Sequence, residues 1–166
     1  MSDLTIALAG NPNAGKTTIF NALTGLHQHT GNWPGKTVEK KEGEIQHGNF
    51  KINIVDLPGT YSLTAYSPEE IIARDFIIQE HPDVVINVVD ATNLERNLYL
   101  TVQIMELEVP VVIALNMSDD LRKNGAKINV DQLSQLFGGV PVVSTTANRG
   151  EGISSLISKA VRAAGR

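Results

Sequence analysis

The feature that most limits what this chain can become is the run Gly10-Asn11-Pro12-Asn13-Ala14-Gly15-Lys16-Thr17, which follows the pattern G-x-x-x-x-G-K-S/T. It stands between an apolar run, Leu4 to Ala9, and a helically spaced stretch, Lys16 to Leu23. A strand, a glycine-containing turn and a helix in that order aim backbone N–H groups and the positive end of the helix at one point, which makes a cradle for phosphate. Lys16 then reaches the outer phosphates and the Thr17 hydroxyl ligates Mg²⁺. Gly10 through Thr17, with Thr18 beside them, are the expected nucleotide-binding residues of this loop.

Such a loop belongs on the edge of a sheet, and the rest of the chain supplies one. Short runs rich in β-branched residues recur at Leu4 to Ala9, Ile52 to Val55, Val84 to Val89, Pro110 to Leu115 and Val140 to Val143. Hydrophobicity that continuous reads as strands buried on both faces. Helical spacing fills the gaps at Lys16 to Leu23, Pro68 to Gln79, Leu94 to Leu107, Val130 to Leu136 and Ile153 to Ala163. The segment Thr37 to His47, followed by Gly48-Asn49, reads as a hairpin. The expected fold is therefore α/β: a mostly parallel, six-stranded sheet with one antiparallel edge strand and helices on both faces. Leu26 to Lys36 and Leu57 to Ser67 fit neither period and are expected to be functional loops.

Composition sets the outer limits. With 166 residues the chain has the length of one domain, and 42% apolar residues suffice for a core. Its formal charge of −4 disfavours bulk nucleic-acid binding. The lack of cysteine excludes disulfides, iron–sulfur clusters and thiolate zinc sites. No run is long enough to span a bilayer, and Met1-Ser2-Asp3 opens no secretory signal, so the expected address is the cytoplasmic side.

Two more acids stand where strands should end. Asp56-Leu57-Pro58-Gly59 follows Ile52 to Val55, at the carboxyl edge where such sheets bind ligands. Asp56 is the expected Mg²⁺ partner, and the Gly59 N–H can bond a terminal phosphate. Asn116-Met117-Ser118-Asp119 follows Pro110 to Leu115. A carboxylate can accept guanine N1–H and the exocyclic N2–H₂ together, a donor pair that adenine lacks, so Asp119 is the expected guanine selector. Thr146-Ala147-Asn148 follows the last strand and can offer a backbone N–H to guanine O6.

These motifs, in this order, resemble small GTP-binding proteins of the translation-factor-related class, which share the Ras-like P-loop GTPase fold. More narrowly, Gly31-Asn32-Trp33-Pro34-Gly35-Lys36-Thr37-Val38-Glu39 and the stretch Asn87 to Leu100 resemble the N-terminal G domain of the FeoB family of ferrous iron transport proteins. The resemblance covers nearly the whole chain. It implies a single GTP-binding domain over residues 1–166 that hydrolyses GTP slowly and regulates ferrous iron uptake. The implied partners are the helical and membrane domains of a parent transporter, with an oligomer formed through that parent, at the cytoplasmic face of the cell membrane. It implies that Thr37 is the switch threonine closing on Mg²⁺ and the terminal phosphate. It implies too that Asn13, with the Gly31 and Trp33 carbonyls, holds a K⁺ that stimulates hydrolysis. Lys16, Asn13, Thr37 and Gly59 are then the catalytic set.

The chain also departs from common GTPase patterns. Thr60 stands where many carry a water-orienting Gln, which points to slow turnover. Met117 replaces a Lys that packs along the base, keeping the apolar stem without the ammonium. Lys36 stands where the family more often has an aliphatic residue. His27 and His29 lack the carboxylate neighbours an iron site needs. Glu69 and Glu70 suit the first turn of a helix after Pro68. The rival readings are a ribosome- or tRNA-associated GTPase, a nucleotide kinase or ATPase on the same loop, and a nucleotide-sensing module with negligible turnover.

Overall fold

A computed structural model describes residues 3–165. Its strands are β1 (Leu4–Gly10), β2 (Gln28–Asn32), β3 (Glu39–His47), β4 (Phe50–Asp56), β5 (Val84–Asp90), β6 (Val111–Asn116) and β7 (Val142–Ser144). Its helices are α1 (Lys16–Thr24), α2 (Pro68–Glu80), α3 (Leu94–Glu106), α4 (Ser118–Lys123), α5 (Val130–Leu136) and α6 (Ile153–Ala163). The strand order is β2-β3-β4-β1-β5-β6-β7, and β4 through β7 pair in parallel around β1.

The alternation of side chains along the central strands builds a core on each face of the sheet. Ile6 and Leu8 of β1, with Ile52, Ile54 and Ile86, meet Phe20 of α1 and Leu156 and Ala160 of α6 on one face. Ala7 and Ala9, with Val55 and Val85, meet Ile72 and Ile77 of α2 and Leu100 and Ile104 of α3 on the other. Burial on both faces is why these strands are apolar throughout. One polar residue interrupts β5: Asn87 is buried, its amide donates to the Ala9 carbonyl at 3.4 Å, and its carbonyl accepts the Thr101 hydroxyl of α3.

The hairpin forms as expected. Gly48 takes φ +58° at the turn, and β3 pairs antiparallel with β4 from Lys41↔Asp56 to His47↔Phe50. Among the described residues the sheet has seven strands, one more than the sequence pattern suggested, and the addition is β2. It lies in the stretch read as a loop, Leu26 to Lys36, and pairs antiparallel with β3. Gln28 to Asn32 are mostly exposed, so this strand is held by its backbone and carries no apolar alternation. The antiparallel strand β3 is accordingly second from the edge, with β2 outside it. α4, a six-residue polar helix after β6, was also not foreshadowed.

Candidate functional site

At the carboxyl edge of the sheet, β1 ends in Gly10 and the chain turns through residues 11–15 into α1. A Cβ on Gly10 would sit 2.8 Å from the Val88 carbonyl oxygen of β5, so the close approach of these strands requires glycine. Asn13 takes φ +70°, a conformation asparagine tolerates better than most side chains. The Ala14 N–H returns to the Asn11 carbonyl at 3.2 Å, and the Thr60 N–H bonds the Gly10 carbonyl at 3.1 Å. That second bond draws Gly59 to the loop. Asn11, Pro12, Asn13, Gly15, Lys16, Thr17 and Gly59 line a cavity of about 400 Å³.

Lys16 is almost wholly buried, and its Nζ lies 2.5 Å from Asp56 Oδ1, itself buried at the end of β4. Thr17 and Asp56 offer hard oxygen donors of the kind Mg²⁺ takes, so the donor set fits that ion. The same carboxylate is the counter-ion of Lys16.

Across Gly15 lies a second cavity of about 180 Å³, lined by Gly15, Thr18, Asn116, Met117, Asp119, Asp120, Thr146, Ala147 and Asn148. Asn116 joins the two. Its Nδ2 donates to the Ala14 carbonyl at 3.0 Å, while its Oδ1 accepts from the Thr145 hydroxyl at 3.0 Å and the Ala147 N–H at 3.1 Å. One amide therefore ties the phosphate loop to the end of β6 and to the loop after β7. A Cβ on Gly15 would lie 2.1 Å from that Nδ2, and Gly15 takes φ +91°, so glycine is required there twice over. Met117 is held at φ +61°, unusual for a non-glycine residue, and carries the chain into α4, whose first turn presents Asp119.

The comparisons with known proteins bear directly on these loops. The family model described as ferrous iron transport protein B, FeoB_N, matches residues 4–160. The chain belongs to that family. Among curated relatives of FeoB type, it is 54% identical over 152 residues to the Fe(2+) transport protein A/Fe(2+) transporter FeoB fusion protein of Porphyromonas gingivalis, covering 91% of this chain and 18% of that protein. It spans about a fifth of the length of the curated relatives it matches. The FeoB G-domain of Methanococcus jannaschii superposes with a TM-score of 0.88 at 50% identity, with 100% of each chain covered. An S. thermophilus NFeoB mutant bound to GDP superposes with a TM-score of 0.91 at 52% identity, over 96% of this chain and 62% of that one. The fold is thus the Ras-like P-loop GTPase fold of FeoB G domains.

In this FeoB-family domain the remaining residues expected at the site stand apart from the phosphate cavity. Neither Gly31, Trp33 nor Thr37 lines it. Gly31 pairs with Lys40 in the β2–β3 ladder. The Trp33 backbone N–H bonds the Val38 carbonyl and the Trp33 carbonyl accepts from the Lys36 N–H, both at 2.9 Å. The Trp33 ring is buried edge-to-face against Phe76 of α2 at 5.7 Å, with the Lys40 ammonium 4.8 Å from its centroid. Thr37 is exposed in the turn between them.

The second loop is tethered as well. The Leu63 N–H donates to Gln103 Oε1 at 2.6 Å, and the Arg96 guanidinium lies 4.3 Å from the Tyr61 ring centroid. Glu70 Oε2 accepts the Ser62 and Thr64 hydroxyls at 2.5 and 2.6 Å, and these bonds, Ser62's first, hold its carboxyl below the usual carboxylate range. Pro12, Gly59, Thr60, Glu69 and Glu70 line one further cavity, of about 240 Å³. Sequence reasoning singled out Asn116, Lys16 and Asp56 but not the bonds among them, and it missed Thr145, Arg149 and the Glu70 hydroxyl cluster. Among the described residues no helix is long and apolar enough to cross a membrane.

Proposed function

We propose that this chain is a guanine-nucleotide switch that binds GTP with Mg²⁺, hydrolyses it slowly, and regulates ferrous iron uptake by a membrane transporter to which it is attached. The observation that carries the reading is the meeting of the phosphate cavity and the Asp119 cavity across Gly15. The two lie side by side, as the phosphate and base ends of one nucleotide require. The FeoB relatives, of which this chain spans about a fifth, support the transporter role. On this reading the helical and membrane parts of the parent are its partners, and its place is the cytoplasmic face of the membrane.

The residues divide the work. Backbone N–H groups of residues 13–17 cradle the phosphates, and Lys16 exchanges Asp56 for the outer phosphates. Thr17, Asp56 and Thr37 would hold Mg²⁺, which when bound would supply positive charge against the phosphate oxygens. The Gly59 N–H bonds the terminal phosphate, and Asp119 takes guanine while Met117 packs along it. Asn116, Thr146, Ala147 and Asn148 shape the base pocket. Asn13 with the Gly31 and Trp33 carbonyls would hold K⁺ once the Trp33 to Lys36 turn opens. Thr60, buried and short, leaves the attacking water without a Gln-like partner.

The test is GTP turnover by the purified chain in potassium and sodium chloride at equal ionic strength, with Asn13→Ala alongside. Potassium-specific stimulation that Asn13→Ala removes is the expected result. Equal, slow rates in both salts would leave a nucleotide-sensing module without the cation-assisted step. Displacement of bound fluorescent GDP by ATP as readily as by GTP would sink the guanine reading itself.

A further inference from the structure

The Asp119 carboxylate has a charge partner that its motif does not announce. Asp119 lies on the first turn of α4 with its side chain 10% exposed, and Arg149, one residue beyond Asn148, brings its Nε to 3.7 Å from Asp119 Oδ2. At that distance the contact is a charge pair, not a hydrogen bond. Arg149 is 55% exposed. Other side chains lining the base cavity do not supply this charge: Met117 and Asn148 are neutral, and Asp120 adds a second carboxylate. A second pair, Arg122 to Glu151 at 3.8 Å, spans the same two segments but leaves Asp119 untouched.

A carboxylate with little access to water needs compensation when its base partner leaves. Guanine offers two donors, N1–H and N2–H₂, to the two carboxylate oxygens, so in either orientation one donor falls on the oxygen beside Arg149. Base and guanidinium therefore share one carboxylate oxygen, and a guanidinium drawn into hydrogen-bond contact with it takes acceptor capacity from the base. We propose that Arg149 is the exchange counter-ion of the base site: it takes over the Asp119 carboxylate as guanine departs and so sets the rate of nucleotide release. This is a positioning role, and it rests on the guanine-nucleotide reading above. It acts by stabilising the nucleotide-free site, so it weakens affinity while speeding exchange. Inosine, which lacks the exocyclic amine, leaves one carboxylate oxygen to Arg149 and feels the competition less.

The test measures release of fluorescently labelled GDP and IDP from the wild-type chain, Arg149→Ala, Arg149→Lys and Arg122→Ala. Arg149→Ala should slow GDP release and tighten GDP binding by about two- to fivefold, the range an exposed ion pair supports. Arg149→Lys should restore most of the wild-type rate, and high salt should shrink the difference. IDP should show a smaller effect, and Arg122→Ala, which removes the same charge from the same edge, should not reproduce it. Release from Arg149→Ala as fast as wild type or faster overturns the role. So does slowing of equal size with IDP or with Arg122→Ala, which would mark a general field effect. If the wild-type chain binds no GDP, the nucleotide reading fails and this inference with it; GDP binding with unchanged release in Arg149→Ala sinks the inference alone.

Discussion

Replacing Asn116 with Ala should destabilise the domain far more than the loss of one surface amide would. The side chain is 3% exposed and makes three hydrogen bonds, to the Ala14 carbonyl, the Thr145 hydroxyl and the Ala147 N–H. Thr145 and Ala147 are themselves buried, at 1% and 6% exposure, so truncation leaves their polar groups with no ready access to water. Each buried group stripped of its partner costs about 1–3 kcal/mol. Taking the low end for the three gives about 3 kcal/mol, since a water entering the space of the amide can repay part of the loss. For a chain of this length that corresponds to a fall of about 6–12 °C in melting temperature. Urea unfolding at neutral pH measures the free energy, and calorimetry the midpoint. Because the bonds join segments 102 and 31 residues apart, both cavities should loosen together, and GDP affinity should fall with stability. A loss under about 1 kcal/mol would show that the amide is dispensable as a tie and refute the reasoning. A full loss of GDP affinity with unchanged stability would refute it differently, by making Asn116 a ligand alone.

Other outcomes follow from the same contacts. Phe76→Ala removes the edge-to-face partner of Trp33, worth about 0.5–1.5 kcal/mol, and because Trp33 is the single tryptophan its fluorescence should shift to the red; an unchanged spectrum would contradict the docked ring. Glu70 has its pKa lowered below 4.5 in the folded state, so its ionised form contributes stability that is fully present above pH 4.5 and is lost as pH falls through the lower folded value. The stability gap between wild type and Glu70→Gln should therefore narrow in acid unfolding below pH 4.5, and a gap independent of pH would assign the effect to packing instead. Asp119→Asn turns an acceptor into a mixed group facing two guanine donors, and should weaken GDP by roughly 10- to 100-fold while favouring xanthosine diphosphate; competition binding with the two nucleotides decides it.

What could be read from the sequence, and what could not, divides along one physical line. β1, β5 and β6 announce themselves because burial on both faces demands apolar residues throughout, and Gly10 to Thr17 announces itself because close backbone approach demands glycine. β2 is silent because an exposed edge strand is held by its backbone, which any residue supplies; Gln28, His29 and Thr30 look like loop and pair with Gly43, Glu42 and Lys41. α4 is silent because six residues, only Leu121 of them apolar, are too short to show a period. Asn116, Asp56 and Lys16 were legible as residues of the candidate site, yet the bonds from Asn116 to Ala14 and from Lys16 to Asp56 join residues far apart in the chain. No local pattern encodes which of several possible partners each will take. Arg149 was invisible for the same reason, since its meaning lies in a pairing with a residue 30 positions away.

The segment around Trp33 takes this argument to the switch itself. On the proposed function, bringing Thr37 to Thr17 and Asp56 would release Trp33 from Phe76 and open the backbone bonds from Trp33 N–H to Val38 and from Lys36 N–H to Trp33. Two hydrogen bonds at about 0.5–1.5 kcal/mol each and an aromatic pair of similar worth put the cost at roughly 1.5–4.5 kcal/mol. A nucleotide can shift the equilibrium only by contacts that differ between the two arrangements. A terminal phosphate that Thr37 reaches in the open arrangement alone would supply such contacts, whereas a diphosphate would not. On the proposed function the docked Trp33 is therefore the resting position, and Phe76→Ala, by removing part of that cost, should raise the affinity for GTP analogues relative to GDP.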